Sequence, residues 1–162
     1  MSTQGSVASI VLAAGSGTRF GHSMNKVWLQ LNGKHIISRS LDNSRSSFSN
    51  VRSILVINPD DEEFAREALA KDGALANTEL VHGGATRHES EYKALQYLKA
   101  DIAAGLIDLV LIHDGARPLA TPQIFSAIAD GAQSHGGAIP TIALDPHEMD
   151  TVRTETVARV QT

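Results

Sequence analysis

A short apolar run, Val7-Ala8-Ser9-Ile10-Val11-Leu12, empties into a loop of very small residues, Ala13-Ala14-Gly15-Ser16-Gly17. Two long cations, Arg19 and Lys26, follow close behind. The run is brief and ends in Gly/Ser punctuation, so it predicts a buried β-strand and not a helix. A strand that feeds such a loop lines up backbone N–H groups at its carboxyl end. Gly15 and Gly17 let the main chain approach a ligand without Cβ contacts. A concave row of amides beside two positive charges describes a polyphosphate cradle. For Gly-Ser-Gly alone, a tight turn with solvated cations is the plainer alternative. Neither common phosphate loop is met. Phe20 stands where a dinucleotide fingerprint needs its third glycine, and Gly33-Lys34 is followed by His35, not by Ser or Thr.

Apolar runs and breakers then alternate along the chain. Lys26–Leu31 alternates apolar with polar residues, which predicts an extended segment with Val27, Leu29 and Leu31 on one side and a turn at Asn32-Gly33. Trp28 is read as a packing residue. Ile36–Leu41 has helical spacing and runs into a serine-rich loop or frayed helix end. Val51–Ile57 is a second strand, closed by Asn58-Pro59, and acidic residues open a helix over Asp60–Ala70. Glu79–His82 is a third strand, followed by a helix from Arg87 to Lys99 with Tyr92, Leu95 and Leu98 on one face. Leu106–His113 is a fourth strand, apolar enough to be expected at the sheet centre. Thr121-Pro122 begins a helix to His135, and Gly137–Leu144 is a last strand. Strands alternating with helices imply βαβ units and a mostly parallel sheet with helices on both faces.

A chain of 162 residues is one domain's worth, read as a single domain over 1–162. No apolar run is long enough to span a bilayer, MSTQGS lacks signal-peptide character, and there is no cysteine. These features fit a cytoplasmic protein with no membrane partner and no thiolate metal site, and no nucleic-acid partner is expected. The net charge of −4 means that a polyanionic ligand has to be held by locally focused positive charge and a metal ion. Four of the histidines, His82, His88, His135 and His147, show no metal-ligand spacing.

LAAGSGTRFG followed by a lysine seven residues after the arginine resembles the signature loop of nucleotidyltransferases that couple CTP or UTP to a phosphorylated acceptor. Two further turns narrow the resemblance. Gly83-Gly84-Ala85-Thr86-Arg87-His88-Glu89-Ser90 is, taken alone, a strand–helix connection with Thr86 as N-cap. It is similar to the base-reading segment of the 2-C-methyl-D-erythritol 4-phosphate cytidylyltransferases. That resemblance implies that Gly84, Ala85 and Ser90 bind cytosine, while Ala13, Ala14, Gly15, Ser16 and Gly17 cradle the CTP phosphates. His113-Asp114-Gly115-Ala116-Arg117-Pro118 resembles the second signature of the same family. It implies Asp114 as ligand to Mg²⁺ or another divalent cation, and Arg117 as a residue on the acceptor side. Gly115 departs mildly from the family's usual Ala or Ser. Asn25-Lys26-Val27 departs from its Pro-Lys-Gln, removing a φ lock while keeping the lysine.

Asp150-Thr151-Val152-Arg153 resembles the family's segment near the acceptor phosphate, with Asp145 as an alternative alignment, which implies Thr151 as an acceptor residue. Gln161-Thr162 looks like the first half of a further family motif, so the chain is expected to be incomplete at its C-terminus and poorly soluble or marginally stable by itself. What the resemblance implies is a Rossmann-like three-layer α/β nucleotidyltransferase fold. It further implies transfer of CMP from CTP to 2-C-methyl-D-erythritol 4-phosphate with release of pyrophosphate, with Arg19 and Lys26 as the catalytic cations and a homodimer in the full-length protein. Ribitol-5-phosphate as acceptor, or a catalytically incompetent nucleotide-binding module, are the alternatives.

Overall fold

The computed structural model describes residues 6–15 and 25–141. Strand β1 is Val7–Leu12, and its alternation sorts the core into two faces. Val11 points to the face covered by helices α1 (Ile36–Arg45) and α2 (Glu62–Lys71), where Ile37, Leu41, Ala65 and Leu69 are fully buried. Ala8 and Ile10 point to the opposite face, closed by Ala94 and Leu98 of α3 (Arg87–Ala103). Strands β4 (Val51–Ile57), β5 (Glu79–His82) and β6 (Leu109–Asp114) join β1 in one sheet of order β5-β4-β1-β6, and every pairing is parallel. Helix α4 (Pro122–His135) seats Phe125 against Val7 and Leu111 and stops at Gly136, whose φ of 81° ends it in the left-handed conformation. The result is a helix–sheet–helix sandwich with a parallel sheet, as expected.

Several local expectations are corrected. Lys26–Trp28 is a 3₁₀ turn and not an extended segment, so Val27 and Trp28 are both buried while Leu29 and Leu31 are exposed. The cause is tertiary: Trp28 packs edge-on against Phe64 with ring centroids 5.7 Å apart, and its indole N–H donates to Asp61 at 3.1 Å. The extended part is a two-residue-per-strand hairpin, β2 (Gln30–Leu31) and β3 (Lys34–His35), turned by Asn32-Gly33 with both φ positive. The buried face of α3 is Ser90, Ala94 and Leu98, whereas Tyr92 and Leu95 are exposed. Ser90 fixes the rotation of the helix by bonding back to the turn that precedes it.

Strand β6 lies at an edge of the sheet among the described residues, not at its centre. An apolar strand reports burial of its two faces and says nothing of its lateral place, and Ile112 is in fact 43% exposed. Residues 137–141 form no strand. Pro140 lacks the N–H that a ladder needs. The rest of that expected strand lies outside the described residues.

The far end of the sheet is tied by Arg52. Its guanidinium makes a two-pronged pair with Glu79 at 2.7 and 2.8 Å, joining β4 to β5, and also pairs with Asp101 of α3.

Candidate functional site

The carboxyl ends of β1, β5 and β6 open into one cleft of about 850 Å³. Its walls bring together Ala13, Ala14 and Gly15 after β1, Lys26, the Gly84–Ser90 turn, and Asp114 and Arg117 after β6. Every described residue expected at the site therefore faces one space. Ser16, Gly17, Arg19 and Thr151 lie outside the described residues. Four cationic side chains line the cleft (Lys26, Arg87, Lys93 and Arg117) against two acidic ones, Glu89 and Asp114. The cleft is positive in a chain whose net charge is −4, as a polyanion site requires.

Asn25 shapes the floor. Its side-chain amide donates to the Ala13 carbonyl at 2.7 Å and the Gly15 carbonyl at 2.6 Å, while its Oδ1 accepts from the Val27 N–H. One side chain thus ties the loop after β1 to the turn that begins at Lys26. Asn25 has φ −64°, the angle a proline would impose, so the departure from Pro-Lys-Gln preserves the backbone by hydrogen bonding instead of by a ring. Sequence reasoning noted Asn25 only as a departure.

The turn after β5 is internally bonded. The Gly83 N–H donates to the Ile57 carbonyl at 2.8 Å, Gly84 N–H to the Ser90 hydroxyl at 3.0 Å, and Ala85 N–H to Glu89 Oε2 at 2.9 Å. Ser90 is 4% exposed and in turn donates to the Thr86 carbonyl at 2.9 Å. Thr86 caps α3 as expected, its hydroxyl accepting from the Glu89 N–H at 3.1 Å. A Cβ on Gly83 would come within 2.8 Å of the Ser90 hydroxyl, and one on Gly84 would overlap the Glu89 side chain. Both glycines are required by close packing.

Asp114 is held by two arginines. Arg117 Nε meets its Oδ2 at 3.0 Å, and Arg87 pairs with its Oδ1. Because β5 and β6 are the opposite edges of the sheet among the described residues, the Arg87–Asp114 pair joins the start of α3, which follows β5, to the end of β6 across the cleft. The hydrogen bond to Asp114 raises the Arg87 pKa and keeps its charge fixed. Arg87 stood inside the Gly-Gly-x-x-Arg-x-x-Ser motif without an assigned role; the motif itself was the available signal. His113 packs its ring edge-on to Phe125 and contacts the Arg117 carbonyl at 3.1 Å. Burial lowers its pKa.

No group of three His, Cys, Asp or Glu side chains able to hold a metal occurs among the described residues. Asp114 offers one carboxylate, the kind of donor that Mg²⁺ takes alongside phosphate oxygens and water. No helix among the described residues is long and apolar enough to cross a membrane.

An open parallel α/β sheet with a polar cleft at its strand carboxyl ends is the class of fold that binds its ligands in that crevice. The comparisons with known proteins are specific. Residues 7–161 match the profile of the 2-C-methyl-D-erythritol 4-phosphate cytidylyltransferase family, and the chain belongs to that family. It is 38% identical over 135 residues to the enzyme of that name from Cereibacter sphaeroides, covering 83% of this chain and 57% of the relative. It is 31% identical over 159 residues to that from Bacillus mycoides, covering 94% and 66%. Among solved structures it is similar to 4-diphosphocytidyl-2C-methyl-D-erythritol synthase from Anaerococcus prevotii. The TM-score is 0.61 at 28% identity, over 78% of this chain and 50% of that one. The chain thus spans little more than half the length of the first of these relatives.

Proposed function

We propose that the chain carries the nucleotide half of a cytidylyltransferase, which transfers CMP from CTP to 2-C-methyl-D-erythritol 4-phosphate and releases pyrophosphate. The observation that carries this reading is the cleft itself, where the loop after β1, Lys26, the Gly84–Ser90 turn and Asp114 meet in a chain of this family. Ala13, Ala14 and Gly15, with Ser16 and Gly17 after them, receive the phosphates. Gly84, Ala85 and Ser90 form the seat of the base, and Arg117 with Thr151 takes the acceptor side. An acceptor phosphate oxygen attacks the α-phosphorus in line as the bond to pyrophosphate breaks, and no covalent intermediate with the protein is needed. Lys26 and Arg19 neutralise the charge that builds on the α-phosphate and the leaving group, and the cleft walls orient the two reactants. Asp114 would hold Mg²⁺, which supplies charge neutralisation at the phosphates.

The assay is pyrophosphate release from CTP with 2-C-methyl-D-erythritol 4-phosphate or ribitol 5-phosphate as acceptor, in the full chain and in a version extended past Thr162. Release dependent on the methylerythritol phosphate supports the reading, and preference for the ribitol phosphate overturns it. A homodimer belongs to the same proposal and is read from the mass in solution.

A further inference from the structure

The turn that forms the base seat has its donors engaged. The N–H groups of Gly83, Gly84 and Ala85 all bond within the protein, and the Ser90 hydroxyl both accepts from Gly84 and donates to Thr86. The amides of Gly83–Ala85 and the Ser90 hydroxyl therefore leave a ligand no free donor on this stretch of the wall, and what remains there is acceptor character. Its strongest acceptor is the carboxylate of Glu89, which lines the cleft and is 46% exposed. One of its oxygens takes the Ala85 N–H, and the other lies 3.6 Å from Lys93 Nζ. Lys93 is anchored in turn on the Gly83 carbonyl at 3.0 Å. The carboxylate is thus held in place from two sides, yet an ionised carboxylate has about four lone-pair sites, and two contacts leave room for a further donor.

We infer that Glu89 is a specificity-determining residue, whose carboxylate accepts from the exocyclic amine of the cytosine ring. The inference rests on the nucleotide reading proposed above. A cytosine edge presents an N–H₂ donor at the position where uracil presents a carbonyl oxygen. A carboxylate bonds to the first and repels the second, and Glu or Asp accepting from the cytosine amine is a recurrent pairing in base recognition. Glu89 thus separates the two pyrimidine nucleotides by charge as well as by hydrogen bonding. Lys93 and the Ala85 N–H act as positioning groups that keep the carboxylate on the cleft wall.

The test is the ratio of CTP to UTP dissociation constants, measured by calorimetry on the full chain for the unaltered protein, Glu89→Gln and Glu89→Ala. The amide of Glu89→Gln keeps the size of the side chain and can donate to the uracil carbonyl, so the preference for CTP should fall by about tenfold or more. Glu89→Ala should lower it less, through lost CTP affinity alone. A residue that merely capped α3 would weaken both nucleotides alike and leave the ratio where it was. An unchanged ratio in both folded variants overturns the inference while leaving the nucleotide reading in place. If the unaltered chain binds neither nucleotide, the nucleotide reading fails and this inference fails with it.

Discussion

Gly115 is fixed by two hydrogen bonds, and adding one methyl group to it tests the packing under Asp114. Its N–H donates to the Leu12 carbonyl at 2.9 Å, and its own carbonyl accepts from the buried Ser40 hydroxyl at 2.8 Å. A Cβ would stand 2.8 Å from the Leu12 carbonyl oxygen and 3.4 Å from Val11 Cγ1, and it would overlap Ile37 Cδ1. Ile37 is fully buried, and the Leu12 oxygen belongs to the central strand, so neither yields freely. Overpacking of this kind costs about 1–3 kcal/mol. For a chain of this size that predicts a Tm lower by roughly 2–12 °C in Gly115→Ala. Ile37→Val removes the overlapping Cδ1 at a cost of about 0.5–1.5 kcal/mol by itself. The double variant should therefore be more stable than the sum of the two losses, since one of the two tight contacts is gone. It should remain below the unaltered protein, because the Leu12 oxygen is still in the way. Thermal and denaturant unfolding of the four proteins measures this. A Gly115→Ala protein with unchanged Tm, or strictly additive losses, would refute the packing argument.

Three further outcomes follow from the site and the sheet. Lys26→Ala should lower turnover by ~10²-fold or more, with a smaller loss of CTP affinity, and steady-state kinetics showing near-normal turnover would remove Lys26 from the mechanism. Asn25→Ala deletes the cap of the Lys26 turn and two bonds to the loop after β1. It should cost about 0.5–2 kcal/mol of stability and weaken CTP binding; equal affinity by calorimetry would mean that the loop holds its shape unaided. The hydrogen bond from Arg52 holds the Glu79 carboxyl below its usual range, against the opposing effect of burial. Its stabilisation is therefore complete above the unfolded carboxylate pKa, about 4.5, and is lost as pH falls through the lower folded value. Acid unfolding followed by circular dichroism should begin at higher pH in Arg52→Gln, and superimposable curves would count against the pair.

The order of elements was legible because breakers and apolar runs are local properties. Val7–Leu12, Val51–Ile57 and Glu79–His82 are strands with the expected bounds, and Thr121-Pro122 opens the expected helix. What was hidden depends on distant partners. Trp28 turns inward because Phe64 and Asp61 wait for it, which converts an alternating segment into a 3₁₀ turn. Tyr92 and Leu95 face outward because Ser90, bonded to the preceding turn, shares the buried face of α3 with Ala94 and Leu98. At the site, the motifs named residues by type, but the pairing of Arg87 with Asp114 joins positions 27 residues apart and could not be read from either motif. That the Glu89 carboxylate accepts from the Ala85 N–H required coordinates as well.

The sheet order has a consequence for how the chain is made. β1 precedes both of its neighbours in the chain, yet it ends up between β4 and β6. Its start is locked to β6 by reciprocal bonds between Ser6 and Asp108, 102 residues apart. At synthesis rates of about 5–20 residues per second, that second neighbour arrives roughly 5–20 s after the first strand emerges. For that interval Ile10 and Val11, fully buried in the finished domain, belong to a strand with an unpaired edge. The strand that leads into the cleft thus waits for a late partner, and slowing elongation between α1 and β6 should lengthen its exposure.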